Sequence, residues 1–318
     1  MRVLRGSLTL GLVALVVSAN APLSLATFPG ENGEIAVDWL RPSSGWSIRT
    51  VLPDGSRGRV ISREGRPAFS MDWSPDGTMI ALAVVGGSPR VAIVELETGE
   101  RTPLIHIDET PIGDYPHSVA FSPVGDRLVF CVSYAFGERY KLYTIGLDGS
   151  DLTDISADHS DCGADWGTGD RIVTVTHEPV EGAPRRIVTM DPDGTDRQKV
   201  VSTRGLSATT INPSWSPDGT RFVYAEPTGG SRSDLYSVEG DGEDLMQLTD
   251  SPGRSEGAPV WSPDGTTIVF ARTKDEYLFS YTRPVDLFTI GADGTHLQRL
   301  TETAKVLEQP IAWQVAPV

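Results

Sequence analysis

Five histidines, forty-three acidic side chains and a serine in a G-x-S-x-G spelling are the residues of this 318-residue sequence from which chemistry could be built. The serine is Ser255, in "GRSEG" (253–257). That spelling serves a nucleophile on a sharp strand-to-helix turn inside an α/β domain. Here it is expected in a loop between two β-rich repeats, with no α/β segment to hold a triad, so Ser255 is not read as a nucleophile. There is no H-E-x-x-H, no cysteine pair at zinc spacing and no glycine-rich phosphate loop opening a helix. Histidines mixed with carboxylates remain. "HIDETPIGDYPH" (106–117) and "ADHSDCGAD" (157–165) place His106, His117, His159 and Asp161, with Asp108 and Asp165 beside them, in or next to connecting loops. Two histidines and carboxylates there could hold a divalent metal. "DPDGTD" (191–196) imitates part of a calcium loop, but it coincides with an expected hairpin turn.

A second kind of candidate is aromatic. "TKDEYLFSYTRPVD" (273–286) carries Tyr277, Phe279 and Tyr281 between charges, and "YAFGERY" (134–140) carries Tyr134, Phe136 and Tyr140. Such mixtures are favoured at recognition surfaces. The competing reading is that these rings pack on the edge of the sheet and merely lengthen a hairpin.

All of these candidates need elements to position them, and the sequence repeats its elements. "WSPDG" occurs at 73–77, 215–219 and 261–265, and the aromatics Trp73, Phe121, Trp166, Trp215, Trp261 and Trp313 follow one another at intervals of 48, 45, 49, 46 and 52 residues. Each unit continues with two β-rich runs, such as "RFVYA" and "DLYSVE", then an Asp-Gly turn and a short strand ending in a pattern such as "QLT". Such a period suits one four-stranded blade of a propeller. "SPDG" is turn chemistry: proline presets φ, aspartate caps through its carboxylate and glycine takes the left-handed conformation. The repeated aspartates are therefore read as turn residues, not as a row of catalytic acids. The aromatic before the turn ends the strand nearest the axis and is sized to wedge between blades, removing ~150–250 Å² from water.

The ends complement each other. "GEIAVDW" matches a second strand, "WSIRTV" a third and "RVIS" a fourth, while "EQPIAWQV" near the C-terminus supplies a lone first strand. The sequence thus predicts an all-β, six-bladed β-propeller of four-stranded antiparallel blades, the C-terminal strand joining the N-terminal blade so that no sheet edge stays free. One domain is expected over 28–318. Residues 1–26, with Arg2 and Arg5 before an apolar run from Leu8 to Val17 and small residues at Ser24 and Ala26, read as a secretory signal peptide. Cleavage after Ala21 is the alternative, and no cysteine follows either site to carry a lipid anchor. The mature chain is therefore expected outside the cytoplasm, periplasmic or secreted. The net charge of −16 becomes −18 once the two arginines leave (−16 − 2), which disfavours nucleic acid and anionic membrane surfaces. No further apolar run is long enough to span a membrane. Cys131 and Cys162 fall on neighbouring repeats; a disulfide between them and two buried thiols are both open readings.

The segments "PSWSPDGTRFVYAEPTGGSRSDLYSVEGDGEDLMQLTD" (213–250) and "PVWSPDGTTIVFA", with "DLFTIGADGTHLQRLT" after it, resemble the repeats of the TolB-like six-bladed propellers, and the likeness extends through essentially the whole mature chain. The unit at 166–170, "WGTGD", and the one at 121–126, "FSPVGD", depart from the motif. The resemblance implies a periplasmic propeller that docks a protein on one face. The α/β domain that precedes the propeller in the family's namesake is not found ahead of the first repeat here. Related repeats also occur in propellers of prolyl-oligopeptidase-type peptidases and of oligogalacturonate-lyase-like enzymes, the latter coordinating metal through histidines. The reading is then a non-catalytic, monomeric scaffold that needs no cofactor. It would bind a protein or a cell-envelope polymer through the loop-rich face opposite the "SPDG" turns. The alternative is a metal-dependent carbohydrate-active enzyme, with His106, His117, His159 and Asp161 as ligands.

Overall fold

A computed structural model describes residues 28–41, 45–62, 68–85, 87–134, 139–177, 185–203, 211–229, 232–274, 285–303 and 307–316. Its strands form six four-stranded antiparallel sheets, the six blades of a propeller. The closing blade is ordered β24 (Leu307–Val315), β1 (Asn32–Arg41), β2 (Gly45–Val51), β3 (Arg57–Ser62) from the axis outward. The second holds β4 (Ala68–Trp73), β5 (Met79–Val84), β6 (Arg90–Glu95) and β7 (Arg101–His106), and the third β8 (Tyr115–Phe121), β9 (Arg127–Tyr134), β10 (Arg139–Gly146) and β11 (Thr153–Asp154). The fourth runs β12 (Ser160–Gly167), β13 (Arg171–His177), β14 (Arg185–Met190), β15 (Gln198–Thr203). The fifth runs β16 (Ser214–Trp215), β17 (Arg221–Gly229), β18 (Arg232–Glu239), β19 (Met246–Gln247), and the sixth β20 (Ser255–Trp261), β21 (Thr267–Thr273), β22 (Asp286–Gly291), β23 (Gln298–Arg299).

Blade-on-blade packing explains why these strands read as continuous apolar runs rather than alternating ones. Each middle strand is covered on both faces, as in β5, where every residue after Met79 is buried. The outermost strands face water, and β3 and β7 are largely exposed. The repeat aromatics fill the spaces between blades: Trp73, Phe121, Trp166, Trp215, Trp261 and Trp313 are all buried. A disulfide joins Cys131 of β9 to Cys162 of β12, with Cα atoms 5.3 Å apart, so the third and fourth blades are also linked covalently.

Each "SPDG" turn closes by the same bonds. Asp76 Oδ1 accepts from the Ser74 hydroxyl (2.6 Å), the Thr78 amide (3.0 Å) and the Thr78 hydroxyl (2.7 Å), while Ser74 Oγ accepts from the Met79 amide (2.9 Å). Asp218 and Asp264 repeat the arrangement. Gly77 takes φ +69°, and a Cβ there would lie 2.5 Å from the Val315 carbonyl, so glycine is required twice over. Where the third blade spells "SPVGD", Asp126 does the work from two residues later, taking the Ser122 hydroxyl at 2.8 Å.

The two chain ends each grip a neighbouring blade. Asn32 exchanges two bonds with Asp264 in the turn of the sixth blade (2.9 and 3.1 Å), and Gln314 Nε2 donates to the Gly77 carbonyl in the turn of the second (2.7 Å). Phe28 is buried in the apolar cluster that contains Phe121 and Val119. The ring is therefore closed by β-pairing of β24 with β1 and by side-chain bonds on either side of that pair.

Candidate functional site

The topology gives the ring two unlike faces. Connections between first and second strands and between third and fourth strands lie on one face, here called the turn face. Connections between second and third strands and from blade to blade lie on the other, the loop face.

On the turn face the acids are committed to local donors. Asp54, Asp148, Asp193 and Asp293 each accept from the residue two positions on, and these side-chain and amide donors hold their carboxyls below the ordinary value. Partial burial pushes the Asp76 carboxyl up, but the Ser74 and Thr78 donors outweigh it and leave it below the ordinary value. In "DPDGTD" a guanidinium stands among the acids: Arg171 Nη1 donates to Asp191 Oδ1 (2.6 Å) and Asp196 Oδ2 (2.7 Å). The turn reading of these repeated aspartates is the one the geometry bears out.

The loop face holds the described candidate residues, distributed over the second, third and fourth blades. At the end of β7, His106 Nδ1 lies 3.0 Å from Ser88 Oγ, whose hydroxyl also contacts Asp108 Oδ1 (3.0 Å) and Oδ2 (3.1 Å). His117 of β8 lies edge-on to Tyr140 of β10, ring centroids 5.3 Å apart. Burial drives the His117 pKa down to about 4, so the ring is neutral at neutral pH. The Tyr140 amide donates to Ser160 Oγ of the next blade (3.0 Å). Arg185 is half-buried there; burial lowers its pKa and Tyr140 opposes the shift. The His159 amide donates to the Ser156 carbonyl (3.0 Å). Asp161 is fully buried, its carboxyl pushed up by burial and pulled back by Arg197, whose Nη2 donates to both oxygens at 2.9 Å.

The structure thus brings His106 to Asp108 through Ser88, and His117 to Tyr140, but it leaves the two groups on separate blades. Among the described residues no three His, Cys, Asp or Glu side chains gather as a metal-binding group. Tyr134 is half-buried at the end of β9, opposite Arg139. Tyr277, Phe279, Tyr281 and Phe136 lie outside the described residues. Ser255, expected in a loop, is instead the first residue of β20 and is buried. The innermost strand starts there because Ser255 and Glu256 pair with Thr273 and Arg272.

Sequence reasoning missed the polar groups buried between blades. Glu256 accepts from Arg272 Nε at 2.7 Å, from Arg272 Nη2 and from the Thr249 hydroxyl of the preceding blade, and the guanidinium lies 4.8 Å from the Phe288 ring. Asp72 and Asp165 sit just before their repeat tryptophans and cross to the next blade, accepting from the amides of Phe121 (2.8 Å) and Trp215 (2.7 Å). Burial pushes both carboxyls up, Asp165 to about 6, and the charge of Asp165 raises Asp72 further. The signal was visible: Thr249 and Glu256, like Thr301 and Glu308, are seven residues apart in equivalent parts of two repeats.

Among the described residues no helix is long and apolar enough to cross a membrane. The family model described as "TolB beta propeller domain" matches residues 40–316. The chain is 24% identical over 173 residues to the Tol-Pal system protein TolB of Francisella tularensis subsp. mediasiatica, covering 54% of this chain and 38% of that protein. It therefore spans about two fifths of that relative's length. Among solved structures, TolB from Acinetobacter baumannii superposes with a TM-score of 0.67 at 20% identity, covering 89% of this chain and 66% of that one. An oligogalacturonate lyase in complex with manganese superposes at 0.51 with 14% identity, over 86% and 74% of the two chains. At such identities the structures speak for the fold alone. The family match, spanning all six blades, identifies this chain as a member of the TolB beta-propeller domain family.

Proposed function

We propose that this protein is an extracytoplasmic, non-catalytic scaffold that holds a protein or a cell-envelope polymer on its loop face. The observation that carries the reading is the asymmetry of the two faces. On the turn face the repeat carboxylates are consumed by their own Ser, Thr and Arg donors, so that surface is built to fold. The connections between second and third strands belong to the loop face, and the sequences that join β9 to β10 and β21 to β22, 134–140 and 273–286, are rich in tyrosine and phenylalanine. The leader-like residues 1–26 support export, and the relatives named for the Tol-Pal system support a place in the cell envelope.

The test is affinity capture from the producing organism's envelope and culture fluid, with the mature propeller and its Tyr277→Ala/Phe279→Ala/Tyr281→Ala variant as parallel baits. A partner retained by the first and lost by the second supports the scaffold. Background from both baits, with a stoichiometric divalent ion in chelator-free protein and cleavage of a polyuronate, would replace it with the lyase-like alternative.

A further inference from the structure

The closing blade differs from the other five in what it buries. Counting from the residue paired with each repeat aromatic, the third position along the second strand is Ala83, Cys131, Val175, Ala225 or Ala271 in the other blades, each essentially fully buried. In the closing blade, where Ile35 pairs with Trp313, that position is Asp38, 4% exposed. Its carboxyl receives the Trp39 amide, Oδ1 has no partner among the described residues, and no charged side chain among them acts on it.

The same blade carries a second anomaly. Glu256 and Glu308 hold equivalent places at the start of an innermost strand, and each takes a threonine hydroxyl from the blade before, Thr249 and Thr301. Across the strand pair Glu256 faces Arg272, whereas Glu308 faces Trp39. Glu308 is 0% exposed, and its Oε1 has no hydrogen-bond partner among the described residues. Burial and the carboxylate of Asp286, itself bonded to Arg299 (2.8 Å), favour its neutral form, while the Thr301 and Thr303 hydroxyls and the charge of Arg57 favour the ionised one without reversing the balance. Arg57 and Arg49 lie 5.7 and 5.2 Å from the Trp39 ring centroid. An isolated buried carboxylate costs several kcal/mol, and such a group keeps its proton instead.

We propose that ring closure in this propeller is proton-gated: Asp38 and Glu308 enter the β1–β24 seam as neutral acids, and the seam loosens when they ionise. Burial pushes both carboxyls up, Glu308 to about 7. An opened seam would return them to water and to ordinary carboxylate behaviour, so opening releases protons and is favoured as pH rises. The Glu256 seam has its own cation and gives the internal reference. The inference is independent of what the loop face binds.

Amide hydrogen exchange of the mature protein, corrected for intrinsic exchange chemistry and followed from pH 5 to pH 8, reads the seam directly. Protection of β1 and β24 should fall on the order of 50-fold over that range, while β20 and β21 change no more than a few-fold. The Asp38→Ala/Glu308→Gln variant should abolish the difference: alanine already fills the equivalent site of three blades, and glutamine can still accept from Thr301. Equal protection loss in both seams, no loss in either, or a pH response that survives the double substitution would overturn the proposal. Should the variant not fold, the two seams of the unmodified protein still decide the matter.

Discussion

Asp76, on the turn face, accepts hydrogen bonds from two hydroxyls and an amide, whereas Glu308, at the loop end of the closing blade, accepts the Thr301 hydroxyl and leaves Oε1 without a partner among the described residues. The contrast runs through the ring. Turn-face carboxyls lie below their ordinary values because local donors favour the charged form. Asp38, Asp161 and Glu308, toward the loop face, lie above theirs because burial favours the neutral form. The lesson is that acidity marks two separate jobs in one chain, cheap closure of exposed turns and costly burial between blades, the second including Asp72 and Asp165 near the turn end.

The strongest way to break this contrast is to remove a cation that compensates a buried acid. Arg272→Ala should leave Glu256 as an uncompensated buried acid and lower stability by about 3–5 kcal/mol in urea unfolding at neutral pH. A loss below about 1 kcal/mol would mean that Glu256 simply protonates, and the two seams would then be alike. Next comes the covalent link between the third and fourth blades. Replacing Cys131 and Cys162 together by alanine should cost about 3 kcal/mol, because the bridge closes a chain separation of 31 residues. Asp76→Ala removes the acceptor of three bonds and should cost about 1–2 kcal/mol, with no effect on whatever the loop face holds.

The pH dependence separates the faces by sign. A depressed carboxyl such as Asp76 contributes stability above its ordinary pKa of 3.8 and loses it as pH falls through the folded value, so the pH dependence of these turns lies only in acid. Glu308, raised from 4.5 to about 7, contributes fully below 4.5 and loses that contribution as pH rises to about 7; Asp165, raised to about 6, behaves alike. His117, lowered from 6.5 to about 4, contributes above 6.5 and loses it as pH falls toward 4. Thermal unfolding followed from pH 4 to pH 8 should therefore show stability falling between about pH 4.5 and pH 7, with His117 opposing part of that fall below pH 6.5. Glu308→Gln should flatten that limb, whereas Asp76→Asn should lower the curve evenly above about pH 4 and change its slope only below that.

The fold was legible because its signals are local and repeated. The WSPDG spelling at Trp73, Trp215 and Trp261 encodes a turn through residues in contact within five positions, and Trp313 repeats the blade aromatic in the strand that pairs with β1. Even the departures stayed readable in outcome, since Asp126 supplies the bond that the valine of "SPVGD" cannot. The buried polar groups were not legible in the same way. Whether Glu256 meets a cation is decided by register across a strand pair sixteen residues apart, and whether Glu308 does is decided by Trp39 nearly the whole chain away. Ser255 illustrates the boundary problem, since a strand begins wherever its partner offers pairing and not where its own letters change. His106 ends β7 and His117 lies within β8, so which candidate histidines meet depends on blade geometry, and these two came to rest on different blades.

The smallest expected change in stability belongs to the segment 273–286, and it carries the most about function. If its aromatics serve recognition, Tyr277→Ala/Phe279→Ala/Tyr281→Ala should shift the unfolding midpoint by less than about 0.5 kcal/mol per site while abolishing retention of the captured partner. If the rings instead pack on the blade edge, the substitution should cost roughly 2 kcal/mol or more, because each buried aromatic removes a large apolar area from water. Stability and capture thus move in opposite directions under the two readings. Run beside Asp76→Ala, which should cost stability and spare capture, the triple variant completes a two-by-two comparison in which each face is altered once and each property is read twice. Only a division of labour between the faces predicts that both off-diagonal effects are small.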